Sequence, residues 1–337
     1  MKILPFYAVT PQMIATITQI ESLRLHIASL NLPKPLKQKI QRVSLLKSSL
    51  YSARIEGNPL QLTDFQVRDK KNQKKLEVIN ITEAIRFIDG HVKKGDLNKD
   101  LLLQIHMRVL KDLSPDAGHL RHEASAIFNQ AGVAVYTPPP ATYVSNLLNN
   151  LLSFVNSDTE KFPLVAAFVT HLVFEKIHPF LDGNGRVGRL LVDAVLKARG
   201  WDFTFTIPFE EYLDKHKDDY YFYLDKGLKN TNDYLLFMLE TFWQQTQTIK
   251  AQIEEELAKN QKVFLPPRQE EIYNIIHDHK VVSFDIIRRR FTKVPERTLR
   301  YDLKKLLDSA LIEKSGETRG RYYRVNNKVN IETNNIL

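Results

Sequence analysis

The chain has 337 residues, 43% of them hydrophobic, which allows a substantial core and two or three domains. It holds no cysteine, so disulfides and thiolate chemistry are excluded and a cytoplasmic location is expected. Its 12 glycines argue against a β-rich fold, and of its net charge of +9, six units fall in residues 262–337, where 16 Lys and Arg face 10 Asp and Glu.

The N-terminus, Met1 to Ile20, is broken by Pro5 and Pro11 and lacks the continuous apolar core of a signal peptide. No run approaches the ~18 apolar residues of a membrane span. Residues 10–32 read as a helix, with Thr10 as N-cap and Pro11 at the first helical position. A second helix, 36–56, stops at Gly57-Asn58-Pro59. Its last residue, Glu56, puts a negative charge where the helix dipole disfavours one, and Ser52 lies one turn earlier on the same face. Residues 62–78 are polar and basic and read as a solvated helix or loop. Helices are expected at 79–93 and 98–112, then a β-hairpin from Ala124 to Phe128 and Ala134 to Tyr136, ended by Pro138-Pro139-Pro140. Further helices are expected at 143–157 and 162–177.

Residues 178–189 follow, reading His-Pro-Phe-Leu-Asp-Gly-Asn-Gly-Arg-Val-Gly-Arg. Leu190, Leu191, Ala194, Val195 and Ala198 then recur with helical spacing, so the stretch is a loop that ends one helix and opens another. Gly183, Asn184 and Gly185 tolerate positive φ and can turn their N–H groups inward, a nest for anions at a helix N-terminus. Arg186 and Arg189 oppose the dipole there and make sense with a polyanion between them. Asp182 beside phosphates suits a Mg²⁺ ligand, and His178 is the group that can take a proton near neutral pH. Together the parts fit transfer of a nucleotide phosphoryl group.

Three other readings compete. Gly183, Gly185 and Gly188 match a dinucleotide fingerprint with Asp202 near its acidic position, but that motif needs a preceding strand. His171, Glu175 and His178 share a helical face and could bind a metal. A plain glycine turn between core helices explains the glycines but not the His, Asp and two Arg beside them.

The stretch resembles the signature of the Fic family, His-x-Phe-x-Asp/Glu-Gly-Asn-Gly-Arg-x-x-Arg, without departure. The resemblance covers roughly residues 1–250 and implies a mainly α fold: a helical bundle with a β-hairpin flap. It implies AMP transfer from ATP to a Ser, Thr or Tyr hydroxyl of a target protein, with UTP, GTP or a phosphocholine carrier as alternative donors. His178 is then the base, Asp182 the Mg²⁺ ligand, and Gly183, Asn184, Gly185, Arg186, Val187, Gly188 and Arg189 the ATP-binding stretch. Ser52 and Glu56 with Gly57 resemble the family's inhibitory motif, in which the glutamate pairs with the second arginine, here Arg189, and displaces the γ-phosphate. Ile127, Val135 and Tyr136 fall in the flap that holds the target strand. Tyr220 and Tyr221, in a helix from 217 to 228, resemble an adenine-pocket pair, with core packing as the alternative for either. Self-modification and a homodimer are compatible with this reading, and no membrane contact is expected.

Residues 232–245 read as the last helix of this region and 247–262 as a charged connector. After Pro266-Pro267, helices at 268–279, 283–291 and 296–309 precede a strand pair around Gly316 and Gly320. This resembles a small winged-helix domain of α+β type, with 296–309 in the recognition position and Thr318 to Arg321 in the wing. Arg288, Arg289, Arg290, Arg297, Arg300, Lys304, Arg319 and Arg321 suit phosphate contacts with DNA, and docking of a protein is the alternative. A DNA-binding regulator with a nucleotide-sensing domain is therefore the rival function. The expected domains are 1–95, with an inhibitory helix at about 36–57, then 96–246, a connector 247–264, and 265–337.

Overall fold

A computed structural model describes residues 4–66, 72–128, 134–259, 265–316 and 321–326. The chain is mainly α-helical and forms two compact units, Met1–Glu254 and Glu255–Leu337. Among the described residues, no helix is long and apolar enough to cross a membrane.

The first unit opens with α1 (Pro11–Ser29), where the Thr10 side chain accepts from the Met13 N–H as the N-cap predicts. Next comes α2 (Lys34–Ile55), which closes in a Schellman arrangement. Gly57 takes φ +93° and donates to the Arg54 carbonyl at 2.9 Å, and Asn58 donates to Ala53 at 3.1 Å. This turn leaves Glu56 as the C-cap, with its side chain free to reach away from the helix axis.

After α2 come α3 (Gln73–His91) and α4 (Lys99–Val109). The beginning of α3 lies earlier than the composition suggests: Asn72 caps it, and residues 73–78, expected to be solvated, are its first turns. The hairpin is short, β1 (Ile127–Phe128) against β2 (Ala134–Tyr136), antiparallel with Ile127 opposite Tyr136. Then follow α5 (Ala141–Asn156), α6 (Pro163–Ile177) and α7 (Asn184–Ala198).

The core centres on α6, which is buried along its whole length from Leu164 to Ile177. A helix buried on every face can only be the centre of a bundle. Each of its fully buried Leu, Val and Phe side chains contributes about 1.5–3 kcal/mol as an upper estimate. Three elements complete the unit: α8 (Glu210–Lys215), which the composition does not reveal, α9 (Lys217–Lys226) and α10 (Thr231–Lys259). The charged, helix-compatible stretch expected as a connector after residue 246 is helical to Lys259 as part of α10, with Ile249 and Ile253 buried, and the boundary between the two units falls within it.

The second unit contains α11 (Pro267–His279), β3 (Val282–Ser283), α12 (Phe284–Arg290), α13 (Glu296–Asp308), β4 (Ile312–Ser315) and β5 (Tyr322–Val325). Its three-stranded antiparallel sheet has the order β3-β5-β4, so the expected strand pair gains a third, two-residue strand. Ile272, Ile276, Ile287, Leu299, Leu303, Leu306 and Tyr323 form its own core. Of the expected wing, Thr318, Arg319 and Gly320 lie outside the described residues.

Candidate active site

The loop between α6 and α7 is built by its own side chains. Asn184 donates to the Phe180 carbonyl at 2.9 Å and accepts the Phe180 N–H at 2.9 Å, closing the turn. Gly183 alone of Gly183, Asn184 and Gly185 takes positive φ, at +78°. Gly185 is already inside α7, so conformational freedom is not its reason for being glycine. A Cβ there would run into Glu56 Oε1 and come within 3.2 Å of Arg189 Nη1. Gly188 is constrained in the same way, by the carboxyl of Glu175.

His178 ends α6 in the left-handed region, at φ +51°. This posture is uncommon for a residue with a side chain and needs support from its surroundings. The support is Arg121, whose Nε donates to the His178 carbonyl at 2.7 Å. The same buried guanidinium donates to the carbonyls of Glu123, at 2.8 Å, and of Pro139, so it ties both ends of the hairpin segment to the His178 turn. Tyr136 adds a second tie, donating to the Lys176 carbonyl at 3.0 Å. His178 is half-buried, its Nδ1 has no hydrogen-bond partner, and burial holds its pKa below the ordinary histidine value. The ring is therefore neutral near pH 7 and can accept a proton.

The loop rests on His106. Its Nδ1 accepts the Gly118 N–H at 2.9 Å, which leaves Nε2–H to donate to the Asp182 carbonyl at 3.1 Å. Its ring stacks on Phe180 at 3.6 Å, and burial lowers its pKa to about 4.

Both arginines of the loop are buried and paired. Arg189, 1% exposed, donates from Nη2 to Glu56 Oε1 at 2.9 Å and to the Ser52 carbonyl at 2.9 Å, and from Nε to Ser52 Oγ at 3.0 Å. Arg186 donates to Glu77 at 2.7 Å and to Asp182 Oδ1 at 2.9 Å, while its Nε is buried without a partner. Glu77 in turn accepts from Asn58, just past α2, at 2.8 Å. Both arginines are thus anchored to the C-terminal end of α2. Glu77, Asn58, His106 and Arg121 are not marked as site residues by any sequence motif. Glu77 lies in the stretch expected to be solvated, and no local pattern points to a partner 109 residues away.

The Asp182 side chain is 66% exposed and is the one carboxylate of the loop. Among the described residues no three His, Asp or Glu side chains are grouped to hold a metal. A single accessible carboxylate fits Mg²⁺, which takes one or two protein oxygens and completes its shell with phosphates and water. The alternative metal set of His171, Glu175 and His178 is not assembled: His171 lies between Tyr234, at 2.6 Å, and Tyr220, at 3.1 Å. Nor is the dinucleotide fingerprint supported, because the element before Gly183 is α6 and not a strand. Tyr220 is 1% exposed and offers no open surface, whereas Tyr221 is 40% exposed with its hydroxyl 3.3 Å from the Ile55 carbonyl. Val187 is buried in α7.

Residues 96–196, which include this loop and the hairpin, match the Fic/DOC family. That segment is thus similar to the Fic/DOC domain. Among curated relatives, a protein adenylyltransferase Fic of Nematostella vectensis is 29% identical over 206 residues, 57% of this chain and 45% of the relative. A probable protein adenylyltransferase of Aquifex aeolicus is 32% identical over 108 residues, 32% of each chain. The chain spans less than half the length of the curated relatives it matches. A crystal structure of a Fic family protein from Desulfovibrio desulfuricans superposes with a TM-score of 0.68 at 22% identity, covering 97% of this chain and 99% of that one. Fic-1 (residues 134–508) of Caenorhabditis elegans superposes with a TM-score of 0.58 at 21% identity, covering 72% of each chain. These likenesses establish a shared fold, in which the segment similar to the Fic/DOC family holds the His178 loop.

Proposed function

We propose that the protein transfers AMP from ATP to a Ser, Thr or Tyr hydroxyl of a target protein and is held back by Glu56. One observation carries this reading: a carboxylate oxygen of Glu56 sits on Arg189 and over Gly185, at the N-terminus of α7. An anion-binding helix end is thus filled by the protein's own anion. A phosphate group arriving there competes with Glu56 for one guanidinium. The unpartnered Arg186 Nε is a second donor aimed at no protein acceptor, and it suits a phosphate oxygen.

In the proposed reaction His178 accepts the proton of the target hydroxyl. The oxygen forms a bond to the α-phosphorus of ATP, the bond to the β-phosphate oxygen breaks, and pyrophosphate leaves in line. Arg121 and the hairpin position the His178 turn, and His106 positions the Asp182 end of the loop. Mg²⁺ held by Asp182 and the phosphates would supply charge neutralisation.

The test is a labelling assay in cell extract, with ATP labelled at the α- or the γ-phosphate. The α label is expected on protein, strongest for Glu56→Gly and absent for Glu56→Gly with His178→Ala. Label from the γ position alone would identify a kinase-like activity, and none from either would direct attention to other nucleotide donors.

A second reading concerns the C-terminal unit, read as a winged helix. On α13, Arg297, Arg300, Tyr301 and Lys304 are exposed at spacings that share one helical face. Such a face suits the phosphates of duplex DNA. Binding to an arbitrary duplex should weaken as salt rises, and Arg297→Ala should reduce the slope of log K against log salt by about 0.9 if it contacts one phosphate. A face that docks protein would show neither effect.

A further inference from the structure

Glu175 has no part in the reaction described above, yet it lies within the phosphate end of the site. It stands on α6 one turn before His178 and is 6% exposed. Its carboxyl occupies the space in which a side chain at 188 would lie, directly before Arg189. Oε1 is buried with no hydrogen-bond donor. The charged and titratable groups around it come from every neighbouring helix. Arg189 faces it from α7, Glu56 from α2, Lys176 from its own helix, and Tyr220, Tyr221 and Tyr234 from α9 and α10. Lys176 is engaged elsewhere, with its ammonium over the Tyr136 ring and 3.3 Å from the Asp225 carbonyl.

One buried guanidinium therefore stands among two carboxyl groups. Glu56 makes the ion pair, at 2.9 Å. A second carboxylate, buried and with Oε1 lacking a donor, costs several kcal/mol, and the group avoids that cost by keeping its proton. We propose that Glu175 is an internal competitor for Arg189 that sets how tightly the site holds a phosphate. As the neutral acid it leaves the guanidinium to the ligand; as the carboxylate it competes with the ligand for the same charge. Burial pushes its pKa up to about 8, the Glu56 charge adds to the rise, and Arg189 and Lys176 oppose it. A phosphate on Arg189 acts on Glu175 as Glu56 does, so ligand binding draws a proton from solvent onto the Glu175 carboxylate. The inference rests on the nucleotide reading above and adds a pH dependence to it.

The experiment is titration calorimetry of the full chain carrying Glu56→Gly, with ATP and Mg²⁺, in two buffers of different ionisation enthalpy. Without the Glu56 charge the free variant titrates Glu175 lower than wild type, and a bound phosphate raises it again. Between the two values binding should take up a substantial fraction of one proton, and the affinity should fall with pH toward about tenfold per unit. With Glu175→Gln added, the glutamine imitates the protonated acid, so both the uptake and the slope should fall away while affinity near pH 7 is retained. No proton uptake by Glu56→Gly, or an equal slope in the double variant, would overturn the inference and leave AMP transfer standing. Uptake is measured on the chain with Glu175 intact, so this arm does not require the double variant to fold. Failure of ATP to bind Glu56→Gly at any pH would instead overturn the nucleotide reading itself.

Discussion

Glu56 and Arg189, 133 residues apart in sequence, meet at 2.9 Å, with the arginine 1% and the glutamate side chain 33% exposed. Their contact joins the end of α2 to the second turn of α7. Removing the glutamate therefore has two consequences. Under the proposed function, Glu56→Gly should raise transfer activity by at least about tenfold, because no carboxylate then competes with a phosphate for Arg189. It should also lower stability by roughly 1–3 kcal/mol, since a buried guanidinium loses a charged partner. Thermal unfolding with and without ATP checks this: ATP should restore more of the variant's loss than it adds to wild type.

Arg121 is the link between the hairpin and the His178 turn. Arg121→Ala leaves the carbonyls of His178, Glu123 and Pro139 without their shared donor. A stability loss of about 2–4 kcal/mol is expected, with transfer activity falling further than ATP affinity. Arg121→Lys should rescue little, because a compact ammonium lacks the planar fork whose spread N–H groups reach all three carbonyls. Urea unfolding and nucleotide titration separate the two effects.

Gly188→Ala sets a methyl against the Glu175 carboxyl and Phe174, with the ring carbon at 3.3 Å. Both side chains are buried, so the strain should cost about 1–3 kcal/mol. Glu175→Ala in the same chain frees the space, and the pair should be less destabilised than the sum of the singles. An additive result would show that the close approach does not constrain the helices.

Stability should fall as pH rises from about 6.5 to 8. Glu175 and Glu210 are held by burial at pKa values of about 8, against 4.5 in the unfolded chain, so each binds its proton more tightly when folded. Their contribution is full below the unfolded value and is lost as pH climbs through the folded one. His106, at about 4, and His171, at about 3, work in the other direction, but their effect is complete above the unfolded value of 6.5. Between 4.5 and 6.5 the two sets oppose one another; above 6.5 only the carboxyls still titrate. A decline on the order of 2 kcal/mol per pH unit follows, and Glu175→Gln should remove part of it. Urea midpoints across this range test the sign; a midpoint that rises would refute it.

Much of the site is legible as local pattern. The glycines and asparagine between His178 and Arg189 interrupt helical periodicity, which places a loop between two helices, and it lies there. Gly57 reads as a helix stop, and it forms one. Other features are not legible. Residues 73–78 are polar because one face of α3 is exposed, and that composition conceals Glu77, which is buried on the other face. Gly185 looks like a turn residue, although its role is to make room for a side chain from α2.

The sequence by itself determined what depends on neighbouring residues: the order of most helices, their caps, and a loop with a base, a carboxylate and two arginines within twelve positions. Only the tertiary structure decided which groups face one another across the bundle. It paired Arg186 with Glu77, His106 with the Asp182 carbonyl, and Glu175 with Gly188. Those pairings arise because α6 must bury every face, which draws the other helices around it. Charges on those helices that cannot reach water must then find partners or keep their protons.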